Sequence, residues 1–270
     1  MSETLTPKET LQLRVCGRSL EVMRIAGNKQ LPELIFLHEG LGSVSHWKDF
    51  PARVAAATGC PVTVYSRHGS GKSDLLEEAR LVRYMHDEAL SALPELLSQL
   101  RIERPILVGH SDGASIALIY AGAYDHVRGL VLLAPHVFVE DLSVASIADT
   151  RVKFETTNLP EKLARHHRDA VRTFWGWNNI WLHQEFRTWN IEEYLPKIQC
   201  PALVIQGLDD QYGTLAQVEA IRRQSGGPVE VLMLAECKHS PQRDQPDATL
   251  KAITRFAGEV VGNKIGRDGV

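Results

Sequence analysis

Six short, mainly apolar runs punctuate the chain: Leu34–Leu37, Pro61–Tyr65, Pro105–Val108, Gly129–Leu133, Ala202–Ile205 and Val229–Leu234. A strand with one wet face alternates polar and apolar residues. A continuous short run has no wet face, so it belongs to a sheet covered on both sides, as parallel sheets are. Helical spacing fills the intervals at Trp47–Ala57, Glu88–Leu100, Leu215–Arg223 and Pro246–Val261. Pro94 marks a first turn or a kink within the second of these. Ala114–Tyr120 is apolar almost all round, which predicts a buried helix. Strand alternating with helix predicts an α/β fold, a mostly parallel central sheet with helices on both faces. Leu11–Arg14 and Leu20–Ile25 flank Gly17-Arg18 and predict an antiparallel hairpin leading into it.

The rhythm fails between His136 and Tyr194, where four of the five tryptophans lie (Trp175, Trp177, Trp181, Trp189). Sixty residues without a strand, set between two strands, predict a helical insertion rather than a loop. Its best helical stretch is Glu161–Thr173. The expected division is a core of residues 1–135 and 196–270 with a helical cap at 136–195.

Composition removes several function classes. With 270 residues, 44% hydrophobic and 23% charged, the chain is an ordinary globular one. A net charge of −3 lacks the basic excess of a nucleic-acid binder. Cys16, Cys60, Cys200 and Cys237 form no C-x-x-C pair, so no metal site is expected, and they read as small buried hydrophobes. Met1–Thr10 is polar, no apolar signal region follows, and no run of 18 apolar residues occurs. The expectation is a soluble cytoplasmic protein with no membrane partner.

The chemistry begins at Gly109-His110-Ser111-Asp112-Gly113, a G-x-S-x-G string placed directly after a predicted strand and before a predicted helix. A serine on so tight a turn is held out at the carboxyl edge of the sheet. The flanking glycines let neighbouring backbone approach. A serine hydroxyl needs a base. In this motif the acid and then the histidine follow along the chain. Gly207-Leu208-Asp209-Asp210 follows one apolar run and Cys237-Lys238-His239-Ser240-Pro241 follows the last. His239 is the expected base and Asp210 the preferred acid, with Asp209 as its neighbour and Glu140 or Asp141 as outside alternatives. Of the other histidines, His166 and His167 lie in a basic helical stretch and read as solvated, His110 as packing, and His38 as shaping a turn. Oxyanion donors are expected at the backbone of Asp112 and in the loop His38–Ser43, at Gly40 or else Leu41. Arg67–Ser73 ends in Gly-Lys-Ser but has Ser66 where a phosphate-binding loop needs glycine, and no apolar helix follows, so nucleotide binding is not expected.

Taken in order, His38-Glu39-Gly40-Leu41-Gly42, Arg67–Ser73, Gly109–Gly113, Gly207–Asp210 and the His239 loop with Asp244–Asp247 resemble the α/β-hydrolase superfamily, in its lidded esterase and C–C hydrolase branch. The resemblance covers nearly the whole chain outside the first ten residues and the insertion. It implies Ser111 as nucleophile, His239 as base, Asp210 as acid, oxyanion donors at Gly40 and Asp112, and no cofactor. Serine at position 111 separates the chain from relatives with an aspartate nucleophile. Two departures stand out: Glu39 where relatives carry glycine, and Asp112 where they often carry an apolar residue. The implied activity is cleavage of small to medium carboxylic esters or thioesters through an acyl-enzyme. C–C cleavage of a diketone and a non-catalytic small-ligand receptor are the alternatives. The arginines Arg165, Arg168 and Arg172 read as a solvated face.

Overall fold

The computed structural model describes residues 8–262. The part of the polar leader reading that falls on residues 1–7 lies outside the described residues. An eight-stranded sheet has the order β1-β2-β4-β3-β5-β6-β7-β8. Its strands are β1 (Lys8–Val15), β2 (Arg18–Ile25), β3 (Leu34–Leu37), β4 (Val62–Tyr65), β5 (Ile106–His110), β6 (Gly129–Leu133), β7 (Ala202–Gly207) and β8 (Val229–Leu234). The first two form the expected antiparallel hairpin, β2 pairs antiparallel with β4, and every pairing from β4 to β8 is parallel.

The unbroken apolar runs are explained by what covers them. Ile35, Leu37, Leu107, Leu130 and Leu132 point into one core cluster, and Leu34, Phe36, Ile106, Val108, Val131 and Leu133 into the other. The first core is closed by α2 (Tyr84–Asp87), α3 (Leu93–Leu100) and α4 (Asp112–Ala123), and the second by α1 (Phe50–Thr58) and α10 (Pro246–Gly262). Between α2 and α3 the helix passes through a π-helical turn, Glu88–Ala92. Pro94 causes it. Proline has no N–H to give the Leu90 carbonyl four residues back. The Tyr124 hydroxyl donates to that carbonyl instead, at 3.3 Å. The expected buried helix is α4, whose residues from Asp112 to Gly122 are all buried.

Between β6 and β7 lie α5 (Asp141–Thr156), α6 (Leu159–Ala164), α7 (Ala170–Trp181) and two short 3-10 turns, followed after β7 by α8 (Leu215–Gln224) and by α9 (Pro241–Asp244) ahead of α10. The expected helix over Glu161–Thr173 is not one helix. It stops after Ala164 and resumes at Ala170, because Asp169 turns its side chain back to accept from Arg172 N at 2.9 Å and so caps a new helix. The longest helix here, α5, showed no apolar stripe in sequence; its inward side chains are Ser143, Ile147, Thr150 and Phe154, half of them polar. Cys60 and Cys237 are buried as expected, but Cys16 is exposed at the hairpin turn, where its N–H and thiol donate to Glu95. No helix among the described residues is long and apolar enough to cross a membrane.

Candidate active site

Parallel strands end at one edge, and ligands of open α/β sheets bind at that edge where the winding order reverses. Here β3 leads outward to β4 and the chain then crosses back to β5, so the reversal lies between the ends of β3 and β5. The loops after them carry Gly40 and Ser111. Ser111 has φ 52° and ψ −118°, a conformation that side-chain-bearing residues avoid. A side chain at Gly113 would run into the carbonyls of Leu37 and His38, and one at Gly109 into Gly113 and Ala114. The two glycines are therefore steric requirements of the turn. The strain holds the Ser111 hydroxyl above the N-terminus of α4.

The loops after β7 and β8 meet at the same place. His239 Nε2 lies 3.0 Å from Ser111 Oγ, and His239 Nδ1 lies 2.9 Å from both oxygens of Asp210. The Asp210 carboxylate also accepts from Tyr212 N at 2.8 Å and from Gln206 Nε2 at 2.8 Å. Burial alone would raise its pKa; His239 and the Tyr212 N–H outweigh that and hold it below the ordinary value. Asp209 is exposed. The outside alternatives are occupied elsewhere: Glu140 accepts from Thr214 and Gln217, and Asp141 pairs with Arg187.

Two further histidines support this line. His110 Nδ1 accepts from Gln242 Nε2 at 3.1 Å, which leaves Nε2–H to donate to the carbonyl of His239 at 2.7 Å. Burial lowers the pKa of His110 to about 4, so the ring stays neutral and keeps that tautomer. Read in the sequence as packing, it anchors the loop that carries His239. His136, which sequence reasoning missed, is buried with its ring centroid 5.5 Å from that of His239, and its side chain makes no hydrogen bond among the described residues. It follows β6, so the post-strand rule that selected His239 also covered it.

The loop after β3 is tied from behind. Arg67 N donates to His38 Nε2 at 3.0 Å, so His38 Nδ1–H donates to the carbonyl of Glu39 at 2.6 Å. That carbonyl also accepts from the Arg67 guanidinium at 2.9 Å. His38 thus shapes the turn as expected. The Glu39 carboxylate lies 3.8 Å from His110 Nδ1. Burial would raise its pKa, but His46, His110 and Arg67 together keep it below the ordinary value. Trp177 packs its indole where a side chain on Gly40 would be. Asp112 turns its carboxylate into a buried network: Tyr84 Oη–H donates to it at 2.7 Å, Trp181 Nε1–H at 3.3 Å, and the Arg67 guanidinium stands 3.7 Å away. This network joins the helix after Ser111 to α7 in the insertion.

Ser111, Asp112, Glu39, Gly40, Leu41, His136 and His239 all border one cavity of about 320 Å³. Trp177 and Trp181 line it, whereas Trp175 and Trp189 do not, so the insertion's tryptophans divide between pocket and packing. A larger cavity of about 680 Å³ lies at the opposite edge, where the strands begin, bordered by Glu33, Pro61 and Arg104. It contains none of this chemistry.

The Arg67–Ser73 loop holds a carboxylate where a phosphate-binding loop would hold its ligand. Glu21 accepts from Lys72 N at 2.9 Å and from Ser66 Oγ at 2.8 Å. One expectation is corrected here. His167 is buried, not solvated: Nδ1 accepts from Gly71 N at 3.0 Å and Nε2–H donates to the carbonyl of Leu41 at 2.9 Å. It ties the insertion to the loop after β3. His166 is half-buried and stacked on His46. Arg165, Arg168 and Arg172 are exposed, as read from their spacing. Among the described residues no group of His, Cys, Asp and Glu side chains is arranged to hold a metal ion.

Comparison with known proteins agrees with this architecture. A family model described as "Alpha/beta hydrolase family" matches residues 34–252. A proline iminopeptidase of Levilactobacillus brevis is 25% identical, over 86% of this chain and 91% of its own length. Among solved structures, an alpha/beta hydrolase enzyme from a Medee basin deep-sea metagenome library superposes with TM-score 0.75 at 18% identity, covering 92% of this chain and 97% of that one. Naproxen esterase of Bacillus subtilis superposes with TM-score 0.70 at 16% identity, covering 93% and 92%. The family match spans β3 to α10 and takes in the strained serine turn and both loops that face it, and the chain belongs to the alpha/beta hydrolase family.

Proposed function

We propose that this hydrolase is a serine enzyme that cleaves carboxylic esters or thioesters of small to medium size. The observation that carries the proposal is the unbroken line Ser111 Oγ, His239, Asp210, with contacts of 3.0 and 2.9 Å. Ser111 Oγ attacks the carbonyl carbon while His239 Nε2 takes its proton. Asp210 holds the ring in the right tautomer and stabilises its charged form. The negative charge that develops on the carbonyl oxygen is received by the backbone N–H of Asp112 and by that of Gly40, or of Leu41 beside it. Collapse expels the alcohol or thiol, which takes the proton from His239. His239 then draws a proton from water, whose oxygen attacks the acyl-enzyme, and the carboxylic acid leaves as Ser111 regains its hydrogen. Residues 136–195 act as a lid, with Trp177 and Trp181 enclosing the acyl group.

A second reading is release of an N-terminal residue from a peptide. It is favoured by the curated relative named proline iminopeptidase and by Glu39, an acid in the cavity with no hydrogen-bonded side-chain partner among the described residues, which could receive an amino group. Diketone C–C cleavage would use the same three side chains. A silent receptor would place no demand on the aligned hydroxyl. A fluorophosphonate probe and a panel of esters, thioesters, aminoacyl amides and diketones separate these. Covalent labelling of Ser111, abolished in Ser111→Ala, is expected, with turnover lost by about three orders of magnitude or more in that folded variant. Folded wild-type protein that takes no label, or aminoacyl amides outrunning every ester, ends the esterase proposal.

A further inference from the structure

We propose that the substrate carries an anionic group, a carboxylate or phosphate, on the part that reaches the cavity mouth, held between Lys153 and Arg243. This rests on the serine hydrolase reading and deepens it to a substrate class.

Lys153 comes from α5 and Arg243 from α9, so one is supplied by the insertion and the other by the core. Both line the cavity that contains Ser111. Neither has a carboxylate oxygen within 4.0 Å, nor a side-chain hydrogen bond, among the described residues. Some surface arginines are paired. Arg151 pairs with Glu155, Arg187 with Asp141 and Arg53 with Asp247. Other exposed cations, Lys48, Arg165 and Arg168 among them, also have no carboxylate oxygen within 4.0 Å among the described residues; of the cations without such a partner, Lys153 and Arg243 are the ones that line the cavity with Ser111.

The acids of the site do not cancel them. Asp210 is committed to His239, and Asp112 to Tyr84, Trp181 and Arg67. Glu39 faces His110. Arg243 shares the surroundings of His166 with Lys48 and His46. Burial lowers the pKa of His166, and the charges of His46, Lys48 and Arg243 lower it further, with Glu39 opposing. The remaining lining is largely apolar, with Ile147, Leu159, Leu163 and Trp177. An apolar acyl portion can fill this volume while an anion meets two cations whose charge the protein leaves unmatched. Both side chains are exposed at the cavity mouth, so the expected gain is that of charge-assisted contacts in a solvated rim and is sensitive to salt. A chain of net charge −3 has no general attraction for anions, so the preference has to be local.

The test uses full-length enzyme and esters matched in size: a neutral diester, an ester with a terminal carboxylate on the acyl side, one with the carboxylate on the alcohol side, and one with a phosphate on the alcohol side. The quantity read is the ratio of kcat/KM for each charged ester to that for the neutral one. At low salt at least one charged ester is expected to exceed the neutral ester by about tenfold, mainly through KM, and the ratio to shrink at high salt. Lys153→Gln and Arg243→Gln should each lower that ratio about three- to tenfold, and the double variant should bring it close to one. Arg187→Gln, which breaks a pair away from the cavity, should leave the ratio alone. Which ester gains identifies the side of the scissile bond and the kind of anion. Equal turnover of all four, or a preference that survives in the folded double variant, overturns the proposal. Failure of the underlying reading looks different: no ester is hydrolysed and Ser111 takes no label.

Discussion

Asp209 and Asp210 are neighbours of identical chemistry, and their fates differ through backbone direction alone. Asp210 points inward, collects the Tyr212 and Gly213 N–H groups and the Gln206 amide, and meets His239; Asp209 is exposed. Asp210→Asn keeps the volume but presents a donor to Nδ1–H, which destabilises the useful tautomer. It should lower kcat by about 10³- to 10⁴-fold. Asp209→Asn should change kcat by less than about threefold, as surface substitutions do. Steady-state kinetics on one ester decide it, and a reversed ranking moves the acid to position 209. The preference for Asp210 agreed with the family resemblance, in which the acid usually closes a G-x-x-D string as Gly207–Asp210 does. The inward turn that justifies it was not legible in the sequence, since it depends on where Gln206 and His239 come to lie.

The helices of the insertion show where helical spacing misleads. Glu161–Thr173 has acceptable periodicity, yet Asp169 caps a new start and frees the 165–169 link to deliver His167 to the oxyanion loop. Asp169→Ala removes the acceptor for Arg172 N and should cost about 1 kcal/mol in urea unfolding, with Asp169→Ser recovering most of it. If Ala and Ser behave alike, the cap is not what starts α7. The π-helical turn before α3 is a case in the other direction. Pro94 announced a disturbance in the sequence, and the π register with Tyr124 donating to Leu90 is how the fold absorbs it. The sequence could not name Tyr124, which is thirty residues further on, just past the end of α4.

Across the whole molecule, several histidines are buried in neutral form. Burial lowers the pKa of His38 well below 6.5, of His110 and His167 to about 4, and of His136 to about 3. In the unfolded chain each would titrate near its ordinary value of about 6.5. Below that pH the unfolded state binds protons that the native state refuses. Stability is therefore complete above about pH 6.5 and falls as the pH drops toward 4, by up to about 1.4 kcal/mol per pH unit for each such histidine. Urea unfolding between pH 7.5 and 4.5 should show this decline, and His136→Gln should make it shallower by about one histidine's share. A stability that is level from pH 7 to pH 5 contradicts the assignment of these rings as buried and neutral.

The local signals were sufficient for the sheet, for the hairpin, for α4 and for the serine turn. Unbroken apolar runs require two covered faces, and a glycine-flanked serine between strand and helix requires a strained turn; both are properties of short segments. The order of Ser111, Asp210 and His239 along the chain likewise anticipated their meeting, because parallel strands send every post-strand loop to one edge. What the tertiary structure alone decided are the contacts between residues far apart in sequence: His110 holding the His239 loop, His167 reaching Leu41, Asp112 joined to Tyr84 and Trp181, and Lys153 and Arg243 brought to the rim of one cavity. Periodicity and spacing report which face of its own element a side chain occupies. They carry no information about which distant side chain is packed against it, and in this molecule burial, tautomer and the balance of charge around the serine are all set by that second relation.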